Sequence, residues 1–393
     1  MIPLSKAAAG IVQSEIRVMS VECEKVGGVN LAQGVCDTET PLPVRQGAEA
    51  AIEAGFNSYT RLDGTAELRA AIARKMWDYN RVKADPEREV VVTVGSTGGF
   101  YCACLALLNP GDEVIVFEPF YGYHVNTLHA LQAVPAYVTL HAPDWSFTAE
   151  DLQRAITPRT RAIVVNSPAN PSGKVFSREE MKWIADCATR HNLIVFTDEI
   201  YEYFLYDGRE HISPASLPGM AERTVTISGF SKTFSITGWR IGYVICPAQW
   251  APAIGYFHDL IYICAPAPLQ HGVVAGLNEL SQDFYRDMVK EYAAKRDLIC
   301  NALRDAGLAP SVPQGSYYVL ADAARLPGNT GKQKATHLLA ETGVAAVPGE
   351  AFFHPGLGNN LLRFCFAKTD ADLRDASQRL LRLRSTSAVG SAR

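Results

Sequence analysis

The sequence has no C-x-x-C pair, no run of 18 apolar residues, no internal repeat and no low-complexity block. Without such an apolar run, no membrane-spanning helix of ordinary length is expected. Nine cysteines are scattered along the chain, an odd number, with Cys102 and Cys104 the nearest neighbours. No second cysteine or histidine pair stands at ligand spacing, so no zinc or other metal site is expected, and the thiols read as reduced and mostly buried in a cytoplasmic protein. The opening MIPLSKAAAG lacks a basic segment followed by a long apolar one, and predicts no export signal. Basic residues are not in excess: 37 Lys and Arg against 41 Asp and Glu give a formal net charge of −4. Neither nucleic acid nor an anionic membrane is therefore an expected partner.

What is present is ordinary for a folded protein: 48% hydrophobic and 20% charged residues over 393 positions, enough chain for two or three domains at roughly 150 residues each. A helix is expected over about 5–26, carrying Ile11, Ile16, Met19 and Val26 and closed by Gly27-Gly28. The run Val29-Asn30-Leu31-Ala32-Gln33-Gly34 leads into a turn-rich piece before a helix over about 44–54. The irregular backbone around Gly34 is either a linker or a binding loop. From about residue 65, short apolar runs at 90–94, 113–117, 136–140, 162–166, 193–197, 224–227 and 242–246 alternate with helical segments. That alternation predicts an α/β fold with a mainly parallel seven-stranded sheet between helices, whose ligands bind beyond the carboxyl ends of the strands. A charged helix over about 282–306, strands near 316–320, 344–347 and 361–366, and a helix from about 370 to 383 predict a smaller α+β domain. The expected division is a large domain over 45–285, a discontinuous small domain from 1–44 and 286–385, and a flexible tail over 386–393.

The chemistry concentrates in TISGFSKTFSITGWRIGY, residues 226–243. Lys232 sits in a loop of glycine and hydroxyl residues, with Ser231 and Thr233 beside it and Arg240 eight positions on. Such a lysine is either a solvated surface charge or, with its pKa lowered, a nucleophile toward a carbonyl. The neighbouring hydroxyls and the arginine are what a phosphate-anchored aldehyde cofactor needs. Other strand ends supply polar groups too. Gly95-Ser96-Thr97-Gly98-Gly99 opens a helix, where free amides hold a phosphate or the glycines simply pack; it is neither G-x-G-x-x-G nor G-x-x-x-x-G-K-[ST]. Tyr121 follows the next strand, to stack on a flat cofactor or to pack over its loop. Asn166 and Asn170 lie in NSPANPSG. Asp198, at a buried strand end, needs a proton or a cation, and a pyridine nitrogen is one such partner; capping the following helix is the alternative.

In this order, with Arg363 in LLRFCFAKTD, the motifs cover nearly the whole chain and resemble the class I/II aminotransferases, the pyridoxal-phosphate enzymes of fold type I. The resemblance implies that Lys232 carries the cofactor aldehyde and moves the proton between substrate α-carbon and cofactor. It implies that Asp198 pairs with the pyridinium nitrogen, that Tyr201 and Asn170 hydrogen-bond the phenolic oxygen, and that Tyr121 stacks on the ring. Ser96, Thr97, Ser231 and Arg240 are implied to bind the phosphate, and Arg363 to clamp the substrate α-carboxylate with the Gly34 backbone nearby. Tyr59, in YTRLDG, matches the tyrosine that reaches the neighbouring subunit's phosphate, so a homodimer with shared active sites is implied.

Two positions depart from the family pattern. Gly229 replaces a serine three residues before the lysine, leaving Ser228 or backbone amides to compensate. Thr97 stands where prokaryotic aspartate-type enzymes carry a lysine for the substrate's side-chain carboxylate, and no replacement cation is evident. RFCFAKTDADL and the stretch 173–180 look more like the branch acting on methionine, glutamine, kynurenine and aromatic amino acids. The expected reaction is ping-pong transfer from a neutral or aromatic L-amino acid to a 2-oxo acid, 2-oxoglutarate being one acceptor. The alternatives are an aspartate-type aminotransferase, a carbon–sulfur β-lyase on the same scaffold and, remotely, a non-catalytic cofactor-sensing regulator.

Overall fold

The computed structural model describes residues 5, 8 and 14–383. A seven-stranded sheet forms its centre: β2 (Val90–Val94), β3 (Glu113–Glu118), β4 (Val134–Thr139), β5 (Thr160–Asn166), β6 (Ile194–Asp198), β7 (Thr224–Gly229) and β8 (Ile241–Ile245). Their spatial order is β2-β8-β7-β6-β5-β3-β4. Along β3, Ile115 and Phe117 join one apolar cluster while Val114 and Val116 join another. Alternate residues of a strand point to opposite faces, so burial of both sets makes the run apolar without alternation, as a parallel strand covered by helices requires.

One strand breaks the parallel rule. β8 runs antiparallel to both β7 and β2, with Gly229 opposite Gly242 and Val94 opposite Ile241. Its amino end therefore lies at the same sheet edge as the carboxyl ends of the others. Arg240, which immediately precedes β8, is brought to that edge beside the loop after β2, and the Gly95 amide donates to the Arg240 carbonyl at 2.9 Å.

The remaining strands form two small sheets. β1 (Val29–Asn30) pairs in parallel with β11 (Val344–Ala345). β9 (Ala309–Pro310), β10 (Tyr318–Asp322), β12 (Val347–Pro348) and β13 (Leu361–Cys365) make an antiparallel set in the order β12-β13-β10-β9. Val29 thus ties the start of the chain to its end, a pairing too short to register as a sequence run. The helix expected over 5–26 is seen as Glu15–Lys25, and most of its earlier positions lie outside the described residues, as does the tail over 386–393. Among the described residues no helix is long and apolar enough to cross a membrane. All nine cysteines are free.

Candidate active site

A cavity of about 810 Å³ opens at the carboxyl edge of the large sheet. Ten of the residues singled out from the sequence line it: Gly34, Ser96, Thr97, Tyr121, Asn170, Asp198, Tyr201, Ser231, Lys232 and Arg240. They come from six separate segments, and for all but Gly34 the topology of the large sheet delivers them to one edge.

At one end, the helix Gly95–Leu107 begins directly after β2. Its first turn carries Ser96 and Thr97, and unpaired amides at a helix start favour an anion. The Arg240 guanidinium lies against Gly95, whose φ of +67° and missing side chain leave the room; a Cβ there would collide with Arg240 Nη2. Gly242 is equally constrained, since a Cβ on it would stand 2.5 Å from the Gly95 carbon and the Ser96 nitrogen.

Asp198 is buried at the end of β6. Its Oδ1 accepts from the Ile200 amide at 3.2 Å, and its Oδ2 lies 3.0 Å from His124 Nε2. His124 belongs to the helix Gly122–Ala130 that follows Tyr121, and its ring meets the Tyr121 ring edge-on at 5.3 Å. No sequence signal marks this histidine, because its partner is 74 residues away and no local spacing encodes the pair. It answers the question of what meets the Asp198 carboxylate from behind.

Lys232 points its amine at the Gly34 carbonyl, 3.2 Å away, and to within 5.7 Å of the Tyr317 ring centre. Burial, the largest influence, moves its pKa below the ordinary 10.5, and the nearby Arg240 charge pushes in the same direction. A lysine so placed offers more of its neutral, nucleophilic form. Burial likewise drives the Tyr121 and Tyr201 phenols upward. Both therefore remain hydrogen-bond donors at neutral pH, Tyr201 within 3.1 Å of the Tyr318 hydroxyl.

Arg363 does not line the cavity but lies directly behind its wall, fully buried. Nη1 donates to Asn170 Oδ1 at 3.0 Å and Nη2 to the Ala32 carbonyl at 2.5 Å, while Nε has no partner. The guanidinium lies 4.4 Å from the Tyr318 ring centre and 5.0 Å from that of Phe352. The backbone carbonyl beside it is thus Ala32's; the Gly34 carbonyl accepts instead from Lys232 and from the Tyr317 hydroxyl.

One further expectation changes. Ser228 cannot stand in for the serine missing at Gly229: it is fully buried and donates away from the cavity, to the Glu199 carbonyl and Glu202 Oε1. At Gly229 itself a Cβ would press to 2.9 Å on Gly242 Cα and 3.0 Å on the Ile241 carbonyl, so the tight β7–β8 contact favours glycine. Tyr59 is 83% exposed and outside the cavity of its own chain. Beneath the site, Glu199, Glu202 and His211 offer ligand atoms within 4.8 Å of one another. Asn80 donates to both carboxylates and Lys75 to Glu202, so this cluster is internally compensated.

A doubly covered sheet with a pKa-lowered lysine, a buried aspartate and an anion-binding helix start at one edge defines a pyridoxal-phosphate enzyme of fold type I. The chain belongs to the class I and II aminotransferases, whose family model matches residues 26–380. It is 35% identical over 398 residues to kynurenine–oxoglutarate transaminase of Dictyostelium discoideum, with 92% of each chain covered. The structure of N-succinyldiaminopimelate aminotransferase from Mycobacterium tuberculosis superposes with a TM-score of 0.93 at 36% identity, covering 97% of this chain and all of that one. YbdL of Escherichia coli, described as having a methionine aminotransferase function, superposes with a TM-score of 0.92 at 28% identity over 97% of this chain and all of its own. The protein is a pyridoxal-phosphate-dependent aminotransferase.

Proposed function

We propose that this enzyme takes its amino group from a neutral or aromatic L-amino acid and passes it to a 2-oxo acid such as 2-oxoglutarate. The observation that carries the donor preference is a second, mainly apolar cavity of about 750 Å³ that shares Ser14, Ile16, Thr97, Tyr121 and Tyr123 with the first. Ile261, Tyr262, Phe352 and Phe353 extend it, and an aromatic side chain gains free energy by leaving water for such a lining. The relative named a kynurenine–oxoglutarate transaminase supports both donor and acceptor.

Bound pyridoxal phosphate supplies an electrophilic aldehyde and an electron-withdrawing ring. Lys232 would hold the cofactor at its aldehyde carbon, and its amine would be the group that holds or moves the proton at the substrate α-carbon. Asp198, steadied by His124, would hold the ring nitrogen in its protonated form. Tyr201 and Asn170 would bond the phenolic oxygen, and Tyr121 would cover the ring. Ser96, Thr97, Ser231 and Arg240 would hold the phosphate, the Gly95 and Gly242 backbones giving Arg240 its place. Arg363 takes the substrate α-carboxylate.

We further infer a large domain over 45–285 and a small one from 1–44 with 286–385, a division supported by the pairing of β1 with β11. The nine free thiols suit a reducing cytoplasm. The chain acts as a homodimer in which Tyr59 completes the partner's phosphate site. The exposed side chains of Phe56, Tyr59, Tyr256 and Leu260 support this reading, since such apolar area is commonly covered in an assembly.

The donor test is spectroscopic. Holoenzyme is mixed in turn with L-phenylalanine, L-methionine, L-glutamine and L-aspartate; the visible band is expected to bleach to pyridoxamine absorbance with the first three and far more slowly with aspartate. Equal or faster bleaching with aspartate overturns the preference, and ammonia with pyruvate from a cysteine conjugate in the absence of acceptor would identify β-elimination instead. The shared site is tested by complementation. Tyr59→Ala and Lys232→Ala are each expected to be poorly active alone, whereas their mixed dimer contains one complete site and regains activity. Failure to regain it, in a preparation proven to contain the mixed dimer, removes the role assigned to Tyr59.

A further inference from the structure

The segment that walls the apolar cavity is fastened to the end of β3. Glu118, the last residue of that strand, is fully buried. Its carboxylate accepts from the Thr139 hydroxyl at 2.8 Å, from the His354 amide at 3.0 Å and from His354 Nδ1, which stands 2.9 Å from both oxygens. Among the described residues no lysine or arginine pairs with it. A buried carboxylate is costly without donors, and His354 supplies two of these three. The imidazole, 40% exposed, stacks on Tyr137 with ring centres 5.2 Å apart, and Tyr137 stacks in turn on Phe120 at 5.6 Å. The Phe120 amide donates to the Phe352 carbonyl at 2.8 Å. All these contacts cross the division inferred above, with Glu118, Phe120 and Tyr137 in the large domain and Phe352 and His354 in the small one.

Phe352 and Phe353, which immediately precede His354, line the apolar cavity together with Phe120 and Tyr121. At the other flank Glu350 Oε1 accepts from the Gly331 amide at 2.7 Å, so the stretch 350–354 is tied at both ends. We propose that Glu118 and His354 are positioning residues for donor choice. Their joint sets where Phe352 and Phe353 stand relative to Phe120 and Tyr121, and with it how firmly a bulky apolar side chain is gripped. Neither residue lines the cavity, and both act through the phenylalanine pair. The grip depends on close approach: a gap of about 0.5–1 Å forfeits about a quarter to a half of the dispersion attraction. A donor with a small side chain makes little use of those rings, and is indifferent to the joint.

This inference rests on the donor reading of the apolar cavity, and the test separates the two. Wild-type, His354→Ala, His354→Asn and Glu118→Gln holoenzymes are mixed with L-phenylalanine and with L-alanine, and conversion to the pyridoxamine form is followed by stopped flow. The ratio of kcat/KM for phenylalanine over alanine is expected to fall about tenfold in His354→Ala, through KM rather than kcat. His354→Asn, whose amide donates from near the position of Nδ1, is expected to recover part of the ratio. Glu118→Gln keeps the shape but turns an amide NH2 toward the donors, and the ratio should fall in the same direction. The double variant Glu118→Gln/His354→Ala should fall no further than the worse single one, as residues acting through one joint require. An unchanged ratio, or equal losses on both donors, overturns the proposal, the latter because a disturbed Arg363 or a loosened fold would affect every donor alike. If the wild-type enzyme itself gains nothing from phenylalanine over alanine, the donor reading has failed and this inference falls with it. Should His354→Ala prove unstable, His354→Asn and Glu118→Gln decide the question by the same ratio.

Discussion

Lys232→Ala is expected to lower turnover by about 10⁴-fold or more, since covalent attachment and α-carbon proton transfer are lost together. The purified variant should also lack the absorbance of covalently held cofactor while still binding it through the phosphate end. Lys232→Arg is the informative companion. It preserves the positive charge beside Gly34 but offers a guanidinium that does not deprotonate, and is expected to be equally inactive. Turnover within tenfold of wild type in either variant would take the chemistry away from this residue. A second signature follows from the pKa. In the folded protein burial lowers it below 10.5, so between the folded and unfolded values the unfolded chain binds a proton that the folded one does not. Stability of the cofactor-free protein therefore gains from Lys232 as pH rises through that window. Urea titrations across pH should show this increment in wild type and its absence in Lys232→Met, the difference between the two cancelling the opposing contributions of buried tyrosines and cysteines.

Arg363→Ala is expected to cut kcat/KM by about 10²–10³-fold, the equivalent of about 3–4 kcal/mol. The case rests on what surrounds the guanidinium. Arg69, the other fully buried arginine among the described residues, is compensated by Asp63 and Glu87. Arg363 has no carboxylate partner among the described residues, two neutral acceptors and an orphaned Nε. A desolvated cation without a counter-charge is costly to maintain and is accounted for if an anionic ligand supplies the missing partner. Arg363→Lys keeps the charge but loses the planar fork, and should recover only part of the activity. The loss should fall on every amino acid and oxo acid alike, because all carry the α-carboxylate. A loss confined to one substrate class would instead mark Arg363 as a side-chain selector, and full activity would remove it from the site.

The parts of the site legible in the sequence were those that follow a strand. Ser96, Tyr121, Asn170 and Asp198 each stand just past an apolar run, and the topology of parallel sheets sends all such positions to one edge. The orientation of β8 was not legible, because an apolar run does not say which way it points; only its pairing puts Arg240 against Gly95. His124 was invisible for a related reason, since its meaning comes from Asp198 across the fold. Gly229 looked like a loss from the family pattern, whereas the approach of Gly242 gives a packing reason for it.

The contact between Gly95 and Gly242 has a consequence for how this enzyme can change. At that end of the cavity the walls are main chain pressed on main chain, so almost any new side chain is excluded and the geometry there is fixed by the path of the backbone. At the other end the walls are side chains such as Ile16, Arg17 and Tyr123, carried on helices with room beside them. Random substitution should accordingly exchange one amino acid for another as substrate far more readily than it exchanges one cofactor for another, and a library aimed at new donors is best confined to the helix Glu15–Lys25 and the lining of the apolar cavity.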